Sequence, residues 1–374
     1  MSNFNGICYQ PFPPGYDPST ANDTYIFFGS DIAYDPMEPI WGSSYTSCTG
    51  SSCSLSGPNK ARNDMETLKE MGVHLLRLYD WEPRNKHLKF LDYCQQHGIK
   101  VLAPVSNYFV KPDQGLNNRH ELIPALIKSF SNKAGTDFHP AIAGIIIGNE
   151  PRLHGFSAQN CIDFTKTWVE IEAAQFSSYR EVPIGHPVDF NQYGGEYPCF
   201  GFWDMLLGGL NQVKTRKLNE RLILNPQSYN DAFYLFENAE SSGKGYVDIT
   251  FEKYKKPLLF TEIGMNRKTA NFKNTVEGQL KGALEYHEKY PERLLGTCFF
   301  QFADKVWLDK GSTEANFGAF SHGEEIMATI NYGPDDFTHW DIKDAGNTMN
   351  VDKLEPTALY DIVKKVYTSK ELVR

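Results

Sequence analysis

The chain has 374 residues, of which 41% are hydrophobic and 22% charged, a balance that excludes an intrinsically disordered chain and supplies a large core. Its 37 Lys and Arg against 46 Asp and Glu leave a formal charge of −9, which argues against a nucleic-acid partner, whose binding rests on many cation–phosphate contacts. No run approaches the roughly 18 apolar residues of a membrane span, and the longest, Ala141 to Gly148, has strand length.

The N-terminus, MSNFNGICYQ, shows no basic segment followed by an apolar one, so no secretory leader is visible. The compartment stays open between the cytoplasm and export without such a leader. Strands are expected near Gly6–Gln10, Val73–Tyr79, Lys100–Val105, Ala143–Gly148, Val182–Pro187, Leu222–Asn225, Leu258–Thr261 and Leu295–Gln301. Between and after them lie helical patterns near Asp64–Met71, His87–His97, Glu121–Ser131, Ala158–Ser177, Trp203–Val213, Tyr229–Ser241, Thr275–Lys289 and Pro356–Thr368. Asn63 with Glu66 and Asn274 with Glu277 have the spacing of capping boxes, Asn85 is placed to cap the second helix, and Gly72 to end the first.

From Val73 to Leu258 the strands recur about every 37 residues, the length of a βα unit. Eight such units with continuously apolar strands predict a (β/α)8 barrel over residues 1–374 as one domain, with a doubly wound open sheet as the alternative. No GxGxxG follows an early strand, so neither a dinucleotide nor any other cofactor is expected. Two connections are long, each of about fifty residues: the one after the first strand, and Asp304 to Glu355 after the eighth. In a barrel both leave adjacent strands on the C-terminal face and form one wall of a cleft. The second carries Phe317, Phe320, Tyr332 and Trp340, flat side chains suited to sugar faces or to packing.

The seven cysteines leave at least one thiol free in a monomer. Cys48 and Cys53, in SCTGSSC, are close enough for a local disulfide, and a bridge and two thiols stay equally open. No His lies near them, no HxH marks the first strand, and no His/Asp cluster marks the strand ends, so no metal is expected.

Two carboxylates interrupt apolar strands at their C-terminal ends: Glu150 in AIAGIIIGNEP and Glu262 in PLLFTEIG. A carboxylate leaving a core needs a partner or a role. In a barrel that end faces the ligand, although each Glu could merely pair with a Lys or cap a turn. Two facing carboxylates suit glycoside hydrolysis, one as proton donor and one as nucleophile or polarising base.

These motifs resemble glycoside hydrolase clan A, whose barrels carry one catalytic Glu after strand four, behind an Asn, and another after strand seven. GICYQPF and LLRLYDW bring the likeness closer to the β-1,3-glucanase and β-1,3-glucanosyltransferase branch. The resemblance runs in order over roughly Gly6 to Trp307. It implies Glu150 as acid/base, Glu262 as nucleophile, Asn149 on the sugar 2-hydroxyl and Arg77 as the cation beside Glu262. Tyr79 and Tyr229 would donate to the nucleophile or the sugar, and Trp307 would be a sugar platform. Trp81, Tyr108, His186 and Asp304 are weaker candidates from other strand ends. Strand six, LILNPQSYND, departs from the family pattern. The expected activity is retaining hydrolysis or transglycosylation of an oligo- or polysaccharide, a β-1,3-linked glucan; the alternative is a carbohydrate-binding barrel without catalysis. The sequence leaves the oligomeric state open.

Overall fold

The computed structural model describes residues 4–10, 31, 33–43, 55–56, 61–111, 119–178, 180–191, 193–308, 311–312, 314–331 and 348–369. Its strands are β1 (Phe4–Cys8), β2 (Leu55–Ser56), β3 (Leu75–Arg77), β4 (Lys100–Val105), β5 (Ile142–Ile147), β6 (Ile184–Asp189), β7 (Leu222–Ser228), β8 (Leu258–Ile263), β9 (Leu294–Phe299), β10 (Phe320–Asn331) and β11 (Thr348–Pro356). Eight of them close into a parallel barrel in the order β1-β3-β4-β5-β6-β7-β8-β9. Closure rules out the open-sheet alternative. β1 closes the ring on β9 with Gly6 opposite Cys298, where a Cβ on Gly6 would meet the Cys298 Sγ at 2.6 Å.

Both faces of each strand are buried, which is why the strands read as apolar runs rather than alternating ones. On β5, Ile146 points into the barrel with Leu75, Leu102, Ile223, Leu259 and Leu295. Its neighbours Ile145 and Ile147 point outward against the helices. All eight predicted barrel strands fall within a few residues of those observed.

Of the helix expected over Tyr229–Ser241 only Ala232–Phe236 is α-helical, and capping differs from expectation at three other places. Asn63 precedes its helix in a left-handed conformation (φ 56°) without a side-chain cap, because its Oδ1 accepts from the Tyr93 hydroxyl at 3.2 Å. Asn85 donates to Asp31 instead of capping the helix that begins at Leu88. The helix expected from Thr275 starts earlier, at Phe272, so Asn274 lies inside it. Gly72 does end the first helix, at φ +76°. A helix over Tyr246–Tyr254 had no counterpart in the sequence reading.

The second long connection is not only a loop. β10 and β11 form an antiparallel hairpin, and β2, from the first connection, pairs with β10. The two connections are therefore joined, as their exit from neighbouring strands predicts. Cys48, Cys53, Tyr332 and Trp340 lie outside the described residues. Among the described residues no helix is long and apolar enough to cross a membrane.

Buried charge fastens this small sheet to the barrel. Arg62 holds Asp64 at 2.9 Å and Asp352 of β11 at 3.1 Å, and all three side chains are at most 3% exposed. Asp64 also accepts from Tyr9, just past β1, at 3.0 Å. Removing the cation would leave two carboxylates buried beside each other, with Tyr9 and His322 as their remaining partners. Arg62→Met should therefore lower stability by about 3–5 kcal/mol, read as a lower urea midpoint. An unchanged midpoint would show that the network contributes nothing net.

Candidate active site

The polar side chains gather where the strands end. Arg77 is the last residue of β3, and Tyr79 lies just beyond it. Gln227 and Glu262 are lateral partners in the β7–β8 register. Asn149 and Glu150 follow β5 through a sharp turn: Gly148 has φ +68° and Glu150 φ 46°. A left-handed Glu is unusual; here it turns the chain so that the carboxyl enters the cleft. The turn is fixed by the Asn149 amide donating to Asn107 Oδ1 at 2.6 Å and the Glu150 amide donating to the Pro187 carbonyl at 3.0 Å.

Three donors converge on Glu262. The Tyr79 hydroxyl and the Gln227 amide each reach Oε1 at 2.6 Å, and the Tyr229 hydroxyl reaches Oε2 at 2.8 Å. Arg77, 1% exposed, lies 3.9 Å from Oε1. The same guanidinium donates to Asn149 Oδ1 at 2.6 Å and stacks 3.4 Å above the Tyr79 ring. Gln227 also donates to Asn149 Oδ1, at 2.8 Å. Asn149 Nδ2 is thereby left facing Glu150 Oε2, at 3.3 Å.

The two carboxyls have different surroundings. Burial first, then the charge of Glu262, then that of Asp189, push the Glu150 pKa up to about 8, against the opposing pull of Arg77. Its side chain keeps 21% exposure, enough to reach a ligand, with His154 Nε2 at 3.9 Å. Burial, and after it the Glu262 charge, hold the Tyr229 phenol well above its ordinary pKa, so it stays a donor.

Both carboxyls open onto a cleft of about 470 Å³ whose lining includes Arg77, Tyr79, Asn149, Tyr229 and Trp307. Seven of the residues expected from the sequence thus share one cavity. The weaker candidates do not join them. Trp81 is fully buried, donates to Ser129 Oγ at 2.8 Å and stacks on His87. Tyr108 is buried in the outer core. His186 is hydrogen-bonded to Thr165 Oγ1 at 2.9 Å, and burial lowers its pKa to about 3. Asp304 is paired with Arg267 at 2.7 Å. Phe317 packs beneath Tyr229, with centroids 5.5 Å apart, and Phe320 packs on Phe302 and Tyr360. Both are core rather than sugar platforms. Gln227 and Asn107 went unnamed in the sequence. Period-two alternation offered the signal for Gln227, since it shares a strand face with Tyr229.

No family model matches the sequence. Curated proteins bear out the resemblance to the β-1,3-glucan branch. A protein of Saccharomyces cerevisiae described as a probable 1,3-β-glucanosyltransferase, GAS3, is 24% identical over 307 residues, 74% of this chain and 53% of that protein. The 1,3-β-glucanosyltransferase PGA5 of Candida albicans is 25% identical over 235 residues, 57% of this chain and 33% of that one. The chain spans about half, or less, of the length of these relatives. Crystal structures of ScGas2 have the same fold: one, with compound 8, superposes with a TM-score of 0.54 at 16% identity, covering 98% of this chain and 64% of the other. Another, with compound 12, gives 0.53 at the same identity.

If the Glu262 charge helps to hold the Glu150 proton, removing it should release that proton. Glu262→Gln should move the Glu150 pKa from about 8 down towards its ordinary value of 4.5. Carbon-13 NMR titration of the Glu carboxyls reads this directly. A titration unmoved by the substitution would mean that burial and the other nearby carboxylates set the shift without Glu262.

Proposed function

We propose that this chain is a retaining β-glycoside transglycosylase or hydrolase acting on a β-1,3-linked glucan, with residues 1–374 serving as one catalytic barrel domain. The observation that carries the reading is the pair of carboxyls with opposed environments in one cleft. One is surrounded by donors and a buried cation; the other holds its proton up to about pH 8. Such divergence is the mark of an acid/base and nucleophile division of labour.

In the first step a Glu262 oxygen attacks the anomeric carbon while Glu150 gives its proton to the leaving glycosidic oxygen. The product is a glycosyl ester on Glu262. Forming the ester removes the Glu262 charge, one of the causes that raise the Glu150 pKa. Glu150 is then the better base. It takes a proton from an incoming hydroxyl, which attacks the same carbon and frees Glu262. Two inversions give retention. An acceptor sugar gives transfer and water gives hydrolysis; the names of the relatives support transfer on β-1,3-glucan. Asn149 Nδ2 is oriented to meet the sugar 2-hydroxyl, and Trp307 flanks the cleft as a sugar platform. Mass spectrometry of β-1,3-gluco-oligosaccharides after incubation should show products longer than the substrate. Binding without turnover by folded protein would favour a carbohydrate-binding barrel.

Glu262→Gln should cut activity on every substrate by roughly 10⁴-fold or more. Glu150→Gln should spare substrates with activated leaving groups, which need no proton, and azide should rescue its second step. The required form of Glu150 in free enzyme is the protonated one, so kcat/KM should fall as pH rises through about 8. A kcat/KM that rises across that range would reverse the assignment.

Trp307→Ala should lower kcat/KM on oligosaccharides by about 1–3 kcal/mol, the scale of one pocket contact. Steady-state kinetics on oligosaccharides and on an aryl monosaccharide show whether the subsite is remote or reactive. Unchanged values on both would make Trp307 packing.

A further inference from the structure

The β7 segment LILNPQS departs from the resemblance that guides the rest of the site, yet it supplies a side chain that joins Glu262 to Asn149. We propose that Gln227 is a positioning residue for the reaction at Glu262: its single amide nitrogen holds the non-attacking oxygen of the carboxyl, and with it the carboxyl's aim, together with the orientation of Asn149. The inference rests on Glu262 being the nucleophile.

Gln227 is 1% exposed and bridges Glu262 Oε1 at 2.6 Å and Asn149 Oδ1 at 2.8 Å. An amide NH2 has two hydrogens, so it can serve both. Among the described residues its Oε1 has no hydrogen-bond partner. A buried acceptor left unpaired is costly. Flipping the amide would be worse, because Oε1 would then face two oxygens. The orientation is therefore determined by the site.

Two consequences follow from the bond lengths. Glu262 Oε1 is held by two donors, Tyr79 and Gln227, with Arg77 at 3.9 Å, whereas Oε2 has Tyr229 alone. A doubly donated oxygen is the poorer nucleophile, so Oε2 forms the bond to the anomeric carbon. Asn149 Oδ1 is likewise saturated, by Arg77 and Gln227, so only Nδ2 is offered to the cleft. Gln227 acts at both points without touching substrate.

The test uses the full chain with Gln227→Leu and Gln227→Met, each of which keeps bulk and loses the donor without adding a charge. Both are assayed on a β-1,3-gluco-oligosaccharide and with a 2-deoxy-2-fluoro β-1,3-gluco-oligosaccharyl fluoride that traps the ester on Glu262. Thermal melts check folding. Loss of a preorganised donor at a reacting group should lower kcat about a hundredfold while KM stays within about threefold. Trapping should slow as well, since the fluoro sugar lacks the 2-hydroxyl contact but still needs an aligned Oε2. Combined with Asn149→Ala, the loss should be less than the product of the single losses. An unchanged kcat, a rise in KM alone, or multiplicative losses would overturn the inference. So would failure of both variants to fold, which would assign Gln227 to packing. A wild-type chain that neither turns over nor is trapped overturns the nucleophile reading and this inference with it. An active wild type with unaltered variants overturns this inference alone.

Discussion

Two carboxyls cannot share a part-buried cleft without cost, and the mouth of this barrel is arranged around that repulsion. Its imprint is the proton retained by Glu150 up to about pH 8, caused by burial first and by Glu262 next. The opposing element is a cation that is itself buried. Arg77 would be costly at 1% exposure if unsupported. Support comes from the Asn149 carbonyl oxygen at 2.6 Å, the Tyr79 ring face at 3.4 Å and Glu262 at 3.9 Å. Asn149, Tyr79 and Glu262 are therefore a shell around one guanidinium as much as separate candidates for sugar binding.

The barrel makes this geometry economical. Arg77, Gln227 and Glu262 stand on strands, whose backbone is fixed by neighbours on both sides. Gln227 and Glu262 are lateral register partners, whereas Tyr79 with Glu262, Arg77 with Asn149 and Gln227 with Asn149 join the ends of strands that are not neighbours. Closing the ring converts residues far apart in the chain into contacts across a gap. Glu150 is different. It stands past the end of β5, in a left-handed turn held by Asn107 and Pro187. The carboxyl on the strand is held rigidly, and the one on the turn retains exposure.

What the sequence made legible follows the same division. Strands buried on both faces leave apolar runs, so the eight parallel strands were readable although the same runs also suit an open sheet, and a Glu ending such a run stands out. Gln227 did not stand out because an uncharged amide in LILNPQSYND breaks no rule of polarity. Trp81, Tyr108 and His186 sit near strand ends as the site residues do, but their side chains point into the layer between strands and helices, and a chain position near a strand end does not reveal that direction. The hairpin β10–β11 escaped because its strands carry His322, Glu324, Glu325, Asp352 and Lys353 rather than an apolar alternation. Its attachment combines charge with a few buried apolar side chains, Ala328 and Val351 among them.

That charge network gives Asp304 its place. Expected at the site, it instead clamps the root of the second connection: Arg267 binds it at 2.7 and 3.0 Å, and the Gly318 amide donates to it at 2.8 Å. His322 lies between the Asp304 carbonyl, at 3.1 Å, and Asp352, at 2.8 Å. Asp352 in turn meets Arg62. The chain of contacts runs from the hairpin to the barrel base of the connection that carries Lys305 and Trp307 into the cleft. The wall hangs on these directional polar contacts and on Phe320, which packs on Phe302 and Tyr360, so its attachment does not fall to Phe317. Phe317 is then available to fill the barrel mouth beneath Tyr229, where it sets the height of one donor to Glu262.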